Sequence, residues 1–167
     1  MLGSGWWYDV VPMNTSRDRP RLGARVALQD DACFVCGPSN PIGLHLEFER
    51  DIENRRATSR VTFAKEHQGW DGVVHGGILA AVLDDVMAYA IMTTDNLPIT
   101  TRISVMYRKP VRVGETMALE GIVVEIRPRV AQARGIIYPA DGGEGARQDI
   151  RCEAEGIYYL DAPKAVT

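Results

Sequence analysis

Apolar and polar residues alternate over Leu44–Glu49, where Leu44, Leu46 and Phe48 stand against His45, Glu47 and Glu49. A period of two predicts a half-buried strand. Ala57–Phe63 repeats the pattern more weakly. It changes character over Ile78–Met92, a segment rich in Ala, Leu and Met, too long for an ordinary strand and apolar almost all round. Such a segment predicts a buried helix. Ile99–Arg108 returns to alternation, with Ile99, Thr101, Ile103, Val105 and Tyr107 on one face and Thr100, Arg102, Ser104, Met106 and Arg108 on the other. Thr116–Ile126, Val130–Tyr138 and Gln148–Tyr159 predict three further strands. Arg127-Pro128-Arg129 makes a tight connection and Ala140–Ala146 a flexible loop.

Gly121, Gly135 and Gly156 fall inside these last strands. A glycine weakens a strand but permits a bend or the close approach of another element. Three of them imply a sheet curled around something, and the buried helix is the one candidate. The order strand, strand, long helix, four antiparallel strands is that of the α+β hotdog fold: a curved antiparallel sheet of about six strands wrapped around one central helix. We divide the chain into an N-terminal extension (1–32), the hotdog domain (33–160) and a tail (161–167). In the extension Trp6 and Trp7 are expected to pin the chain to the body, and Arg21–Gln29 to form a short helix. No internal repeat is present.

The chain has 167 residues, 46% hydrophobic and 25% charged, the balance of an ordinary globular domain. Its net charge of -3 argues against nucleic acid as the main partner. No stretch reaches the roughly 20 apolar residues that span a bilayer. The opening MLGSGWWYDVV has neither a basic leader nor a long aliphatic run, so no secretory signal is expected. Three cysteines do not suggest a disulfide framework, and a cytoplasmic setting follows.

The predicted helix carries the candidate chemistry. Gly76 and Gly77 open it, so its first amides lack intrahelical acceptors and hold the positive end of the dipole. Without side chains there, a developing oxyanion can approach closely. Asp84 lies on nearly the same face as Gly77 but about 10 Å along the axis. One carboxylate cannot reach a carbonyl held at its own helix start. If both serve one reaction, two chains with antiparallel helices must contribute. Asp84 is then a general base on water or a nucleophile. Its neighbour Asp85 is expected to face solvent or a basic partner.

The run Gly72-Val73-Val74-His75-Gly76-Gly77-Ile78, with Asp84 nine residues after His75, resembles the PaaI-type branch of hotdog acyl-CoA thioesterases. The resemblance extends from CFVCGPSNPIGL to VMYRKPV and less specifically to Tyr159. It implies hydrolysis of an acyl-CoA thioester to a free acid and coenzyme A. Gly76 would polarise the thioester carbonyl, Asp84 would act as base or nucleophile, and Thr100, ten residues before Pro110, would orient the water. Gln68 matches a glutamine of some members in the loop that holds substrate; Gly69 stands where others carry asparagine, and Trp70 follows. Arg108-Lys109-Pro110 matches a basic pair before proline, suited to coenzyme A phosphates. The resemblance also implies homodimers formed by edge-to-edge joining of sheets, and dimers of dimers. His75 has two readings of equal weight, positioning the thioester or capping the helix start. Trp70, Met87 and Ile91 are candidates to set pocket depth across the dimer.

Two other readings keep the fold. A hotdog dehydratase of 3-hydroxyacyl thioesters would favour a histidine base, and a non-catalytic acyl-CoA binding module would need no Asp84. Cys33-x-x-Cys36 and His45 offer three metal ligands, one short of the usual zinc set, so no metal is expected. No cofactor is expected either, coenzyme A being part of the substrate.

Overall fold

The computed structural model describes residues 31–161. The tryptophans and helix expected in the extension, and most of the tail, lie outside these residues. Eight strands and one long helix follow in order: β1 (Glu49–Asp51), β2 (Arg56–Thr62), β3 (Gln68–Trp70), β4 (Val73–Val74), α1 (Gly76–Met92), β5 (Leu97–Tyr107), β6 (Thr116–Arg127), β7 (Val130–Pro139) and β8 (Cys152–Asp161). Six of them form one antiparallel sheet in the order β1-β2-β6-β7-β8-β5, and β3 and β4 form a separate small hairpin. The sheet curves around α1, which is the hotdog fold. Among the described residues no helix is long and apolar enough to cross a membrane.

The helix lies on a floor of small residues. Gly121 of β6 pairs with Gly135 of β7, which pairs with Ala154 of β8, while Ala133 pairs with Gly156. A Cβ added at Gly121 would stand 2.3 Å from the Val86 carbonyl oxygen of α1. One at Gly135 would meet the Leu83 and Met87 side chains at 3.0 and 3.1 Å. These two glycines therefore set how closely helix and sheet approach. Leu79, Val82, Leu83, Val86, Met87, Ala90 and Ile91 fill the space against Ala57, Met117, Leu119 and Ile137. Met87 and Ile91, expected to set pocket depth, are fully buried inside the chain.

Three expectations need correction. Leu44–Phe48 forms no ladder, because His45 adopts a left-handed φ of 51°; pairing begins only at Glu49, the first residue of β1. Leu44 and Leu46 instead donate their amides to Phe34 and Val35 carbonyls. The alternation there recorded which side chains are covered, not strand pairing: Leu46 is buried and Phe48 stacks on Tyr89 at 4.2 Å. The loop after β7 closes as a 3-10 helix over Gly143–Gln148 that buries Ala146, so the last strand begins at Cys152 instead of Gln148. The alternation along β5 is also interrupted. Its register with β8 shifts between Thr100 and Arg102, the mark of a β-bulge.

Candidate active site

His75 caps α1. Its backbone is extended, and its Nδ1 accepts the Gly77 amide at 2.9 Å. Its carbonyl takes the amides of Ile78 and Leu79 at 3.0 and 3.2 Å. Of the glycine pair, only the Gly76 amide has no hydrogen-bond acceptor among the described residues. The anion-accepting end expected of both glycines is narrowed to one donor. The structure places His75 in its capping role, and the cap leaves the imidazole proton on Nε2.

The surroundings of the cap explain its neighbours. A Cβ at Gly69 would lie 3.0 Å from the His75 ring, so a side chain there would displace the imidazole. Gln68 accepts the Gly72 amide at 3.3 Å and closes the β3–β4 turn. The His75 amide donates to the His67 carbonyl at 2.8 Å, and the Val74 amide to that of Val111 at 3.0 Å. Trp70 projects from this hairpin with 84% of its surface exposed. Tyr107, which sequence reasoning missed, donates its hydroxyl to the Gly76 carbonyl at 2.8 Å and packs its ring against that glycine.

Asp84 sits two turns further along the helix, half-buried. Its Oδ1 accepts the Thr100 hydroxyl at 2.9 Å and the Tyr158 hydroxyl at 2.9 Å, and Oδ2 receives only the longer Thr100 contact at 3.1 Å. The bulge makes this contact. Ile103 and Val105 pack toward the core and Tyr107 touches the helix start, so uninterrupted alternation would turn Thr100 away from α1. The inserted residue re-aims it at Asp84. Tyr158 is directly opposite Thr100 on β8. Its ring lies where a Cβ of Gly156 would be, at 2.5 Å, so the glycine two residues earlier makes room for the tyrosine. Burial raises the Tyr158 hydroxyl above its usual range, and the Asp84 charge adds to the effect; it stays a donor. Tyr158 was legible only as an inward position of the last strand.

Asp85 departs from its expected solvated or ion-paired role. It faces Cys33, whose thiol stands 3.9 Å from Oδ2, and burial raises its carboxyl above the ordinary value. Arg108 pairs with Glu153, and Lys109 with Asp149 at 2.5 Å. Both basic residues follow Tyr107 directly and so lie at the end of the sheet where α1 begins.

Comparison with known proteins places this helix and its surroundings within a known family model. A family model described as the thioesterase superfamily matches residues 71–146, a span that holds the cap, the helix, Thr100 and the basic pair. Over this span the chain is similar to the thioesterase superfamily. Among solved structures, a thioesterase superfamily protein is similar with 26% identity and a TM-score of 0.68, covering 77% of this chain and 63% of that one. The chain thus spans less than two thirds of that relative's length. A hypothetical thioesterase from Streptococcus pneumoniae with coenzyme A is 15% identical over 70% of this chain and 86% of its own, with a TM-score of 0.62. The PaaI protein of the E. coli phenylacetic acid degradation operon is 15% identical over 71% and 81%, also at 0.62. These last two share the fold. No curated protein matches the sequence.

Proposed function

We propose that this protein hydrolyses an acyl-CoA thioester to a carboxylic acid and coenzyme A in a site built from two chains. The observation that carries the reading is the division of labour along α1. The Gly76 amide is uncommitted at the helix start, and a doubly held carboxylate, Asp84, stands eight residues on. At 1.5 Å per residue that is about 12 Å, too far for both to act on one carbonyl from the same helix. An antiparallel partner helix brings one chain's carboxylate to the other's amide. The strand β5, eleven residues long at the edge of the sheet, offers the means of joining.

In this site the thioester carbonyl oxygen accepts the Gly76 amide. Thr100 and Tyr158 fix Asp84 by Oδ1, which leaves Oδ2 the freer oxygen. Oδ2 takes a proton from water as the water oxygen bonds to the carbonyl carbon. The carbon–sulfur bond then breaks, and the thiolate leaves with the proton returned from Asp84. Arg108 and Lys109 suit the coenzyme A phosphates. Their present ion pairs lie in contact with solvent, where such pairs are weak, so exchange for phosphate costs little. The coenzyme A recorded with the Streptococcus pneumoniae structure supports this ligand class. A dehydratase would need a histidine base, whereas His75 holds the Gly77 amide on Nδ1.

Thiol release from a panel of acyl-CoAs tests the proposal. Asp84→Asn should cut turnover by roughly 10²–10⁴ while leaving the fold intact. A folded Asp84→Asn protein that hydrolyses at the parent's rate refutes it. Dehydration in place of hydrolysis of a 3-hydroxyacyl-CoA, read by mass spectrometry, would favour the dehydratase, and tight binding without turnover a carrier module.

A further inference from the structure

The proposed thioester chemistry leaves one cluster unused. Asp85 shares α1 with Asp84, yet it takes part in none of the ion pairs among the described residues. Carboxylates in such positions are normally paired or bound to a metal. Facing it are two thiols on a tight turn. The Cys33 and Cys36 sulfurs and an Asp85 oxygen all lie within 4.8 Å of one another, each residue half-buried.

The turn that presents the thiols is firmly built. Gly37 donates its amide to the Cys33 carbonyl at 2.9 Å, and a Cβ at Gly37 would fall 2.3 Å from the Cys33 nitrogen, so this tight loop needs a glycine. Leu44 and Leu46 bond back to Phe34 and Val35, and Val35 is buried in the core. His45, the third ligand suggested by sequence, is exposed and outside the cluster; the helix supplies Asp85 in its place.

We propose that Cys33, Cys36 and Asp85 form a binding site for a divalent cation of the zinc type, with water as fourth ligand. A tetrahedral centre with Zn–S of about 2.3 Å and Zn–O of about 2.1 Å places sulfur and oxygen ligands about 3.6 Å apart. The Cys33 sulfur and the Asp85 oxygen already stand at 3.9 Å, so closing on an ion needs only small side-chain movements. Two thiolates select a soft or borderline ion over magnesium or calcium. Binding expels the thiol protons. The ion would tie the turn before the sheet to the helix one residue from Asp84.

The test uses the full chain, reduced, stripped with chelator and titrated with cobalt(II). One equivalent should bind with a thiolate-to-cobalt charge-transfer band that zinc displaces. Cys33→Ser and Cys36→Ser should each abolish the band, Asp85→Asn should weaken binding by about tenfold or more, and Cys152→Ser should leave it unchanged. Circular dichroism verifies the fold of each variant. The proposal is overturned if the folded, reduced parent gives no band, or if Asp85→Asn binds as tightly as the parent. A parent that binds no cobalt and instead closes a Cys33–Cys36 disulfide with oxidised glutathione overturns it in favour of a redox pair.

Discussion

Tyr158→Phe isolates what holds the proposed catalytic carboxylate. The substitution removes one hydroxyl and keeps the ring that covers Gly156, so it opens no cavity. It deletes the 2.9 Å bond to Asp84 Oδ1 and the 3.2 Å contact with the Asp84 carbonyl. A hydrogen bond to a charged group contributes about 1.5–3 kcal/mol. Thr100 still donates to both carboxylate oxygens and Asp84 is only half-buried, so water can fill the vacancy and the low end applies. About 1.5 kcal/mol corresponds to roughly a tenfold loss of turnover. Thr100→Val should cost a similar factor. Because the two donors share one oxygen, each masks the loss of the other. The double variant should therefore fall by more than the product of the singles, to about 10³-fold. Thiol release from the best acyl-CoA reads the effect, which should appear in kcat with KM little changed, and urea denaturation verifies folding. Parent-level kcat in Tyr158→Phe, or a double variant no slower than either single, would refute a shared clamp on Asp84.

Other consequences follow from the same geometry. His75→Ala removes the cap on Gly77 and should lower unfolding free energy by about 1 kcal/mol in urea; an unchanged midpoint would contradict the capping role. Gly121→Ala drives a methyl into the Val86 carbonyl and should cost about 3 kcal/mol or prevent folding, whereas Gly135→Ala meets movable side-chain ends and should cost about 1 kcal/mol. The reverse ranking by thermal melting would refute the glycine floor. In chelator, Asp85 has a raised carboxyl, so its stabilising share is present below the unfolded value near 3.8 and lost as pH rises through the folded value. Asp85→Asn should then be more stable than the parent at pH 7, the gap closing toward pH 3.8; a constant gap would argue against a raised carboxyl.

Much of the fold was legible because burial leaves a period. The helix, the four strands after it and the interior glycines all follow from covering one face of a sheet with one helix. Leu44–Phe48 misled for the same reason: its alternation reports covered side chains, and a left-handed His45 supports that pattern without a ladder. The catalytic candidates were visible as chemical types. Asp84 is an acid on an apolar helix, and Gly76 is a helix-opening amide. Tyr158 was not visible, since an inward tyrosine on a strand reads as core until its hydroxyl finds a partner.

By itself the sequence determined most element types, the helix that bears the candidate chemistry and the His75-Gly76-Gly77 run at its start. Tertiary structure decided which groups meet. It reversed the facing of Thr100 by one inserted residue, withdrew Gly77 by giving its amide to His75, and set Asp85 against Cys33 and Cys36, which lie 52 and 49 residues back in the chain. Periodicity encodes local burial, which each segment carries alone. Hydrogen bonds and ligand clusters depend on register and on approach between segments, and only the folded chain fixes those.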